Sequence, residues 1–484
     1  MATTVIKNAD WIISWNEKES AHRYVRHADV VFQDNLITFV GKDYRGKIDK
    51  TIPGDGLCVM PGLVNIHSHP STEVMNKGFD GDGIGGQLGE FAWINYLYAY
   101  SPAMEDRVIC AELGLCELLL SGVTTLVDIS SPYPGWFELG ERSGLRLYFA
   151  PMYTSTADFW SMNNLYQVSY HWADDQGKSW MDEALRIIDR ALSDSSGRLS
   201  GVVMPAQVDT CTPELLHSSL AAAKERGIPL QIHAGQLICE FQEIVRRHGL
   251  TPIKFLDQQG LLVPETIVSH AIMLDHYRTT NFLGTSNDLS ILAKSGASIA
   301  HCPLIFARIG DALDNFGRYL KEGVNIGIGT DTYPHNMIEE MRTALLISRV
   351  VSGKLDNVST ADIFSAATIG GANALHRQDI GRIAPGAKAD IVLLDLSVPS
   401  MQPMRDPIRS LVHHAADRAV KDVIIDGVKV VEDRQILSMD YLGTNQKIEQ
   451  VRQRMEAALP QHDFAGRTIE YLSPLVYPVE ELDD

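Results

Sequence analysis

The chain has 484 residues, 45% hydrophobic and 21% charged, an ordinary globular composition that excludes a disordered or low-complexity protein. Its formal net charge of −19 argues against a nucleic-acid partner, which needs a cationic face, and leaves a small molecule as the expected partner. No apolar run is long enough to span a bilayer and no signal-peptide layout opens the chain, so a cytoplasmic protein without membrane contact is expected; the six scattered cysteines read as reduced, buried thiols.

Residues 1–58 carry short strand-like runs, Trp11 to Trp15, Asp29 to Phe32 and Leu36 to Gly41, with Asp34 and Asn35 as turn residues. Residues 59–382 alternate apolar β-like runs with longer helical patterns such as Asp106 to Leu120 and Met181 to Leu192. The eight runs end near His67, Asp128, Met152, Gln207, His233, His270, His301 and Asp331. Eight strand–helix units in the α/β class favour a (β/α)8 TIM barrel, whose chemistry sits at the C-terminal strand ends. The connections Ser71 to Met104 and Thr154 to Ser179 are long, and such loops cover or select substrate. Residues 383–435 return to β texture at Ala389 to Asp395 and Val423 to Val431. The two terminal pieces are expected to complete a composite β-sandwich. Residues 436–484 hold a helix, Tyr441 to Leu459, and an acidic tail, a candidate contact for a homo-oligomer, dimer or larger.

His67 and His69 follow the apolar run that begins at Val59. Side chains alternate across a strand, so imidazoles two apart point the same way and can converge on one ion. Further along, His233, His270, His301 and Asp331 each end a different run. Imidazole nitrogen and carboxylate oxygen are the donors that borderline divalent metals accept. Asp331 also suits a helix N-cap, and His301 suits either pocket lining or packing beneath it.

With these residues in view, the chain resembles the amidohydrolase superfamily, in the branch of cytosine and nucleoside deaminases, triazine hydrolases, and phenylurea and thiocarbamate hydrolases. The resemblance rests on Pro61-Gly62-Leu63-Val64-Asn65-Ile66-His67-Ser68-His69, His233, His270, Ala300-His301-Cys302-Pro303, Gly329-Thr330-Asp331, Arg342 and the run Gly381 to Asp390. It implies a barrel with a composite sandwich and one divalent metal, zinc first, with Fe2+, Mn2+ or Co2+ as alternatives. By position it implies His67, His69, His233 and Asp331 as ligands, Asp331 also as proton carrier, and His270 as the group that polarises substrate. Binuclear relatives use a lysine at the end of the fourth strand, and Leu199 to Gln207 has none.

The departure from that pattern is Gln236, where deaminases of this branch carry a glutamate that protonates a ring nitrogen. An amide cannot deliver that proton. A catalytic and substrate-orienting Gln236 therefore favours hydrolysis of a C–N bond in a small amide, urea or carbamate. The alternative is deamination or dechlorination of a nitrogen heterocycle of triazine or pyrimidine type, with Glu240 or Glu243 replacing the missing acid. His301, Arg308, His335 and Trp93 are the further candidates for substrate contact, each with a packing or solvated reading beside it.

Overall fold

Two blocks of parallel strands form the centre of this mixed α/β chain, whose computed structural model describes residues 2–79, 99–158, 160–162, 168–284, 286–415 and 418–480. One block orders Leu199–Gly201, Arg146–Tyr153, Val123–Ser130 and Leu63–Ser68; the other orders Leu230–Ala234, Thr266–His270, Ser298–His301 and Asn325–Ile328. Parallel bridges join the blocks on both sides, Val203 to Leu230 and Gln207 to His233 on one, Ser68 to Asp331 on the other. Strands Leu63–Ser68, Val123–Ser130 and Thr266–His270 are buried along their whole length, as parallel strands flanked by helices are. Helices Arg107–Leu120 and Lys178–Leu192 occupy the spans that sequence periodicity gives them.

The chain ends share one sheet. Its seven strands run Gln435–Ile436, Val428–Glu432, Val420–Ile425, Ile391–Asp395, Leu57–Pro61, Trp11–Asn16 and Ala21–Val25. Leu57–Pro61 lies antiparallel to Ile391–Asp395, with Val59 opposite Leu393. Alternation sends Val59, Ile391 and Leu393 into an apolar cluster with Ile6, Val30 and Phe32, while Met60, Val392 and Leu394 join the main core. The partners of the second face come from the four-stranded sheet Leu36–Gly41, Ala28–Gln33, Thr3–Ala9 and Lys50–Pro53. Arg146, at the start of a central strand, ties the C-terminal segment to the centre through Asp390 and Asp426, each at 2.9 Å.

The helix Tyr441–His462 folds back onto Arg107–Leu120 rather than standing free. Val451, Met455 and Leu459 are buried in a cluster with Cys110, Leu113, Val74, Met75 and Tyr100, and Arg454 pairs with Asp106 at 2.6 Å. The apolar face that the sequence offers to a second copy is spent inside the chain. Among the described residues no helix is long and apolar enough to cross a membrane.

Candidate metal centre and cavity

Strand ends bring His67, His69, His233, His270 and Asp331 together. Ring centroids of His67 lie 5.1 Å from His69, 4.9 Å from His233 and 4.9 Å from His270. The Nε2 atoms of His67 and His69 are each 3.3 Å from Asp331 Oδ1, and His270 Nε2 is 3.8 Å from Oδ2. Donor atoms of His67, His69 and His233 fall within 4.8 Å of one another, as do those of His67, His270, Cys302 and Asp331.

Backbone bonds hold this arrangement. Asp331 N–H donates to the His67 carbonyl at 2.9 Å, and His69 N–H donates to the Asp331 carbonyl at 2.7 Å. Asn65 bridges the same two segments, its Nδ2 donating to Thr330 Oγ1 at 2.8 Å and its Oδ1 accepting from His67 N–H at 3.1 Å. A Cβ at Gly329 would lie 2.6 Å from His67 Cβ, so only glycine lets that turn approach the first strand. His270 and Asp331 have left-handed backbones, φ 77° and 56°, a strained state for residues with a Cβ that clusters at functional sites. The N-cap role open to Asp331 falls to Asn336, whose side chain accepts from Ile338 and Glu339 N–H groups ahead of helix Met337–Ser352.

Hydrogen bonds also set which ring nitrogen is free. His69 Nδ1 lies 2.9 Å from the Ile129 carbonyl and His233 Nδ1 lies 2.5 Å from the Ala206 carbonyl. A carbonyl accepts only, so each Nδ1 carries the proton and each Nε2 keeps its lone pair for the centre. His67 Nδ1 is held by Ser269 Oγ at 3.1 Å and the Gln231 carboxamide at 2.9 Å. Burial pushes His67, His69 and His233 down to about 3, so they stay neutral, the ligating form, at neutral pH. Burial raises the Asp331 carboxyl, against the pull of His69, His233 and His335.

His67 Nε2, His270 Nε2 and Asp331 Oδ2 are buried without a hydrogen-bond partner. Each such orphan costs about 1–3 kcal/mol, and a shared cation removes that cost. Three neutral imidazoles and a carboxylate therefore fit a divalent ion of the zinc type.

Above the centre lies a cavity of about 200 Å³, whose wall includes His69, His233, Gln236 and Asp331 together with Glu73, Arg107, Met152, Trp160 and Gln207. Gln207 donates from Nε2 to Glu240 Oε2 at 3.1 Å, and its buried Oε1 has no partner. Glu73 accepts from Asn76 Nδ2 at 2.9 Å, and burial together with the Asp331 charge raises its carboxyl to about 8. Trp160 is fixed by its Nε1 donating to buried Asp209 at 2.9 Å.

The other sequence candidates lie elsewhere. His301 faces a separate small cavity with Pro303, Leu313 and Phe316. His335 is buried 3.6 Å from Glu117, and Arg308 lies over the Tyr333 ring at 4.3 Å; neither lines the cavity described above. Trp93 lies outside the described residues. Neither Glu240 nor Glu243 lines that cavity: the Glu240 oxygens accept from the Gly235 and Gln236 N–H groups at 2.7 and 2.8 Å, and Glu243 is paired with Arg246 and Arg247. Sequence reasoning chose His301 of the His301-Cys302 pair, whereas the thiol beside it reaches the centre. It also missed Glu73, Arg107 and Gln207. Of these only Gln207 carried a legible signal, since it closes the fourth strand run as His233 closes the fifth.

A model of the amidohydrolase family matches residues 58–430. A 5-methylthioadenosine/S-adenosylhomocysteine deaminase from Natronomonas pharaonis is 28% identical over 431 residues, 88% of this chain and 93% of that protein. Among solved structures, an adenosine deaminase from Xanthomonas campestris with bound zinc superposes with a TM-score of 0.78 at 22% identity, covering 94% of this chain and 99% of that one. Atrazine chlorohydrolase from Arthrobacter aurescens, complexed with zinc, gives 0.73 at 21% identity, covering 94% and 100%. These structural likenesses are likenesses of fold.

Proposed function

The chain belongs to the amidohydrolase family, and we propose that it is a single-metal aminohydrolase that replaces the exocyclic amine of a nitrogen heterocycle with oxygen. The observation that carries this is the set of orphaned Nε2 and Oδ2 atoms of His67, His270 and Asp331, the last of which lines, with His69 and His233, a cavity large enough for a heterocyclic ring. The deaminase name of a relative matched over 88% of this chain supports a heterocyclic amine over the small amide, urea or carbamate that Gln236 suggests. A chloro-substituted ring stays in the same class of substrate, since the leaving group sits on the same kind of carbon. The eight parallel strands and their two sets of bridges support a (β/α)8 barrel of residues 59–382. The shared terminal sheets support a composite sandwich of residues 1–58 and 383–435, with 436–484 as a helical appendage.

His67, His69, His233 and Asp331 would hold the ion, zinc by the analogy of the two zinc-bound structures. When bound, it supplies a water acidic enough to act as nucleophile at neutral pH. The residues handle the protons. Asp331 accepts the water's proton at Oδ2 and passes it to the amine; the C–N bond breaks, ammonia leaves and the ring carbon keeps the oxygen. His270, next to Oδ2, orients the attacking oxygen and stabilises charge as it develops. Gln236 hydrogen-bonds the ring edge. Of the described residues on the wall, Glu73 and Asp331 carry the carboxyls, and Glu73 is the one we assign to the ring nitrogen that takes up charge. A homo-oligomer belongs to the same proposal, supported by Leu475, Val476, Tyr477 and Val479, each at least 73% exposed.

The test is a panel of amino- and chloro-heterocycles, aryl amides, ureas and carbamates with ammonia and chloride readouts. Release of ammonia or chloride from a heterocycle is expected; turnover confined to the amides, ureas or carbamates contradicts the reading.

A further inference from the structure

Arg107 lines the cavity at the start of helix Arg107–Leu120, and its Nε is buried without a hydrogen-bond partner. No carboxylate compensates it among the described residues. The acid beside it in sequence, Asp106, is turned to Arg454, which it holds with 3.0 and 2.6 Å bonds. The Tyr133 hydroxyl, also buried and unpartnered, lies within electrostatic reach of the guanidinium. Burial lowers the Arg107 pKa, opposed by the Cys110 thiol and the Tyr133 hydroxyl and by no carboxylate.

Arg107 is half-buried, so its guanidinium loses part of its water without gaining a carboxylate, whereas one that meets an oxyanion gains two parallel, charge-assisted hydrogen bonds. The same cavity wall carries the hydroxyls of Ser101, Ser131 and Thr72, a residue type that can donate to an oxyanion, whereas the Ser130 hydroxyl is committed to Asp128 at 2.7 Å. Resting on the reading of this cavity as a heterocycle site, we propose that Arg107 is a specificity-determining residue that anchors an oxyanion, carboxylate or phosphate, on the substrate's tail. The ring then sits over the histidine cluster and the anionic tail points to the wall.

Three probes test this: 9-(carboxymethyl)adenine, 9-(phosphonomethyl)adenine and neutral 9-(carbamoylmethyl)adenine, measured by calorimetry on the zinc-loaded full chain and by ammonia release. The wild type should bind one anionic probe about 10- to 100-fold more tightly than the neutral one, and which anion it prefers identifies the carboxylate or phosphate source. Arg107→Gln should erase the preference, the affinity for the anionic probe falling to the level of the neutral one; Arg107→Lys should restore part of it. Thermal melting of both variants separates loss of anchor from loss of fold. No anionic preference in the wild type, or one untouched in Arg107→Gln, overturns the proposal. Ammonia release reports on the reaction separately: its absence with the anionic preference intact removes the deaminase reading and supports the anchor.

Discussion

The floor and the wall of the cavity are built by different means. The floor is a set of strand ends, and its side chains inherit their direction from the ladder: His233 and His270 are each fixed by backbone pairing of Leu230–Ala234 with Thr266–His270. The wall at Glu73 and Arg107 comes from a short 3-10 turn, Glu73–Asn76, and a helix start, both resting on the cluster beneath helix Tyr441–His462. A floor residue is placed by backbone pairing between neighbouring strands, so its chemistry can be exchanged only at the expense of the centre. A wall residue is placed by packing between segments more than 300 positions apart, such as Asp106 with Arg454, so it can change substrate preference while the centre persists.

That contrast can be broken at its strong end first. His233→Ala should strip the metal and lower turnover ~10³-fold or more with the fold intact by circular dichroism; metal retained at full occupancy would remove His233 from the centre. Glu73→Gln should lower kcat by about 10²-fold or more with metal content unchanged, and a wild-type rate would return the acid's role to another group. Gln231→Leu leaves the ligands but takes a partner from His67 Nδ1, so metal affinity, read by competition with a chelator, should weaken about 10- to 100-fold. Met455→Ala, under the wall, should cost about 2–5 kcal/mol in denaturant unfolding while leaving metal content untouched; metal loss there would mean that floor and wall are one unit. Arg454→Ala should be the mildest, at most about 1 kcal/mol, because that side chain is half exposed.

The same contrast explains how much the sequence disclosed. The strand ends were legible because one apolar run and one polar terminus make a local pattern, and the cluster at His67, His69, His233, His270 and Asp331 follows from it. His301 and Cys302 show the limit: adjacent residues at a strand end point opposite ways, and pattern alone does not say which faces in. Glu73 and Arg107 had no pattern at all. Their exposure to the cavity depends on how Ser71–Asn76 and helix Arg107–Leu120 meet the C-terminal helix, a contact between distant segments. Gln236 lies on the cavity wall, but the consequence drawn from it rests on one position, while the Glu73 carboxyl on the same wall leaves no trace in the sequence pattern.

The central claim is that one divalent ion, held by His67, His69, His233 and Asp331, makes this cavity a hydrolytic site. Its most direct test is zinc titration into chelator-stripped protein, following ammonia release from an amino-heterocycle. Activity should rise from baseline and saturate at one equivalent per chain. Activity that survives stripping, or that climbs through a second equivalent, would contradict it.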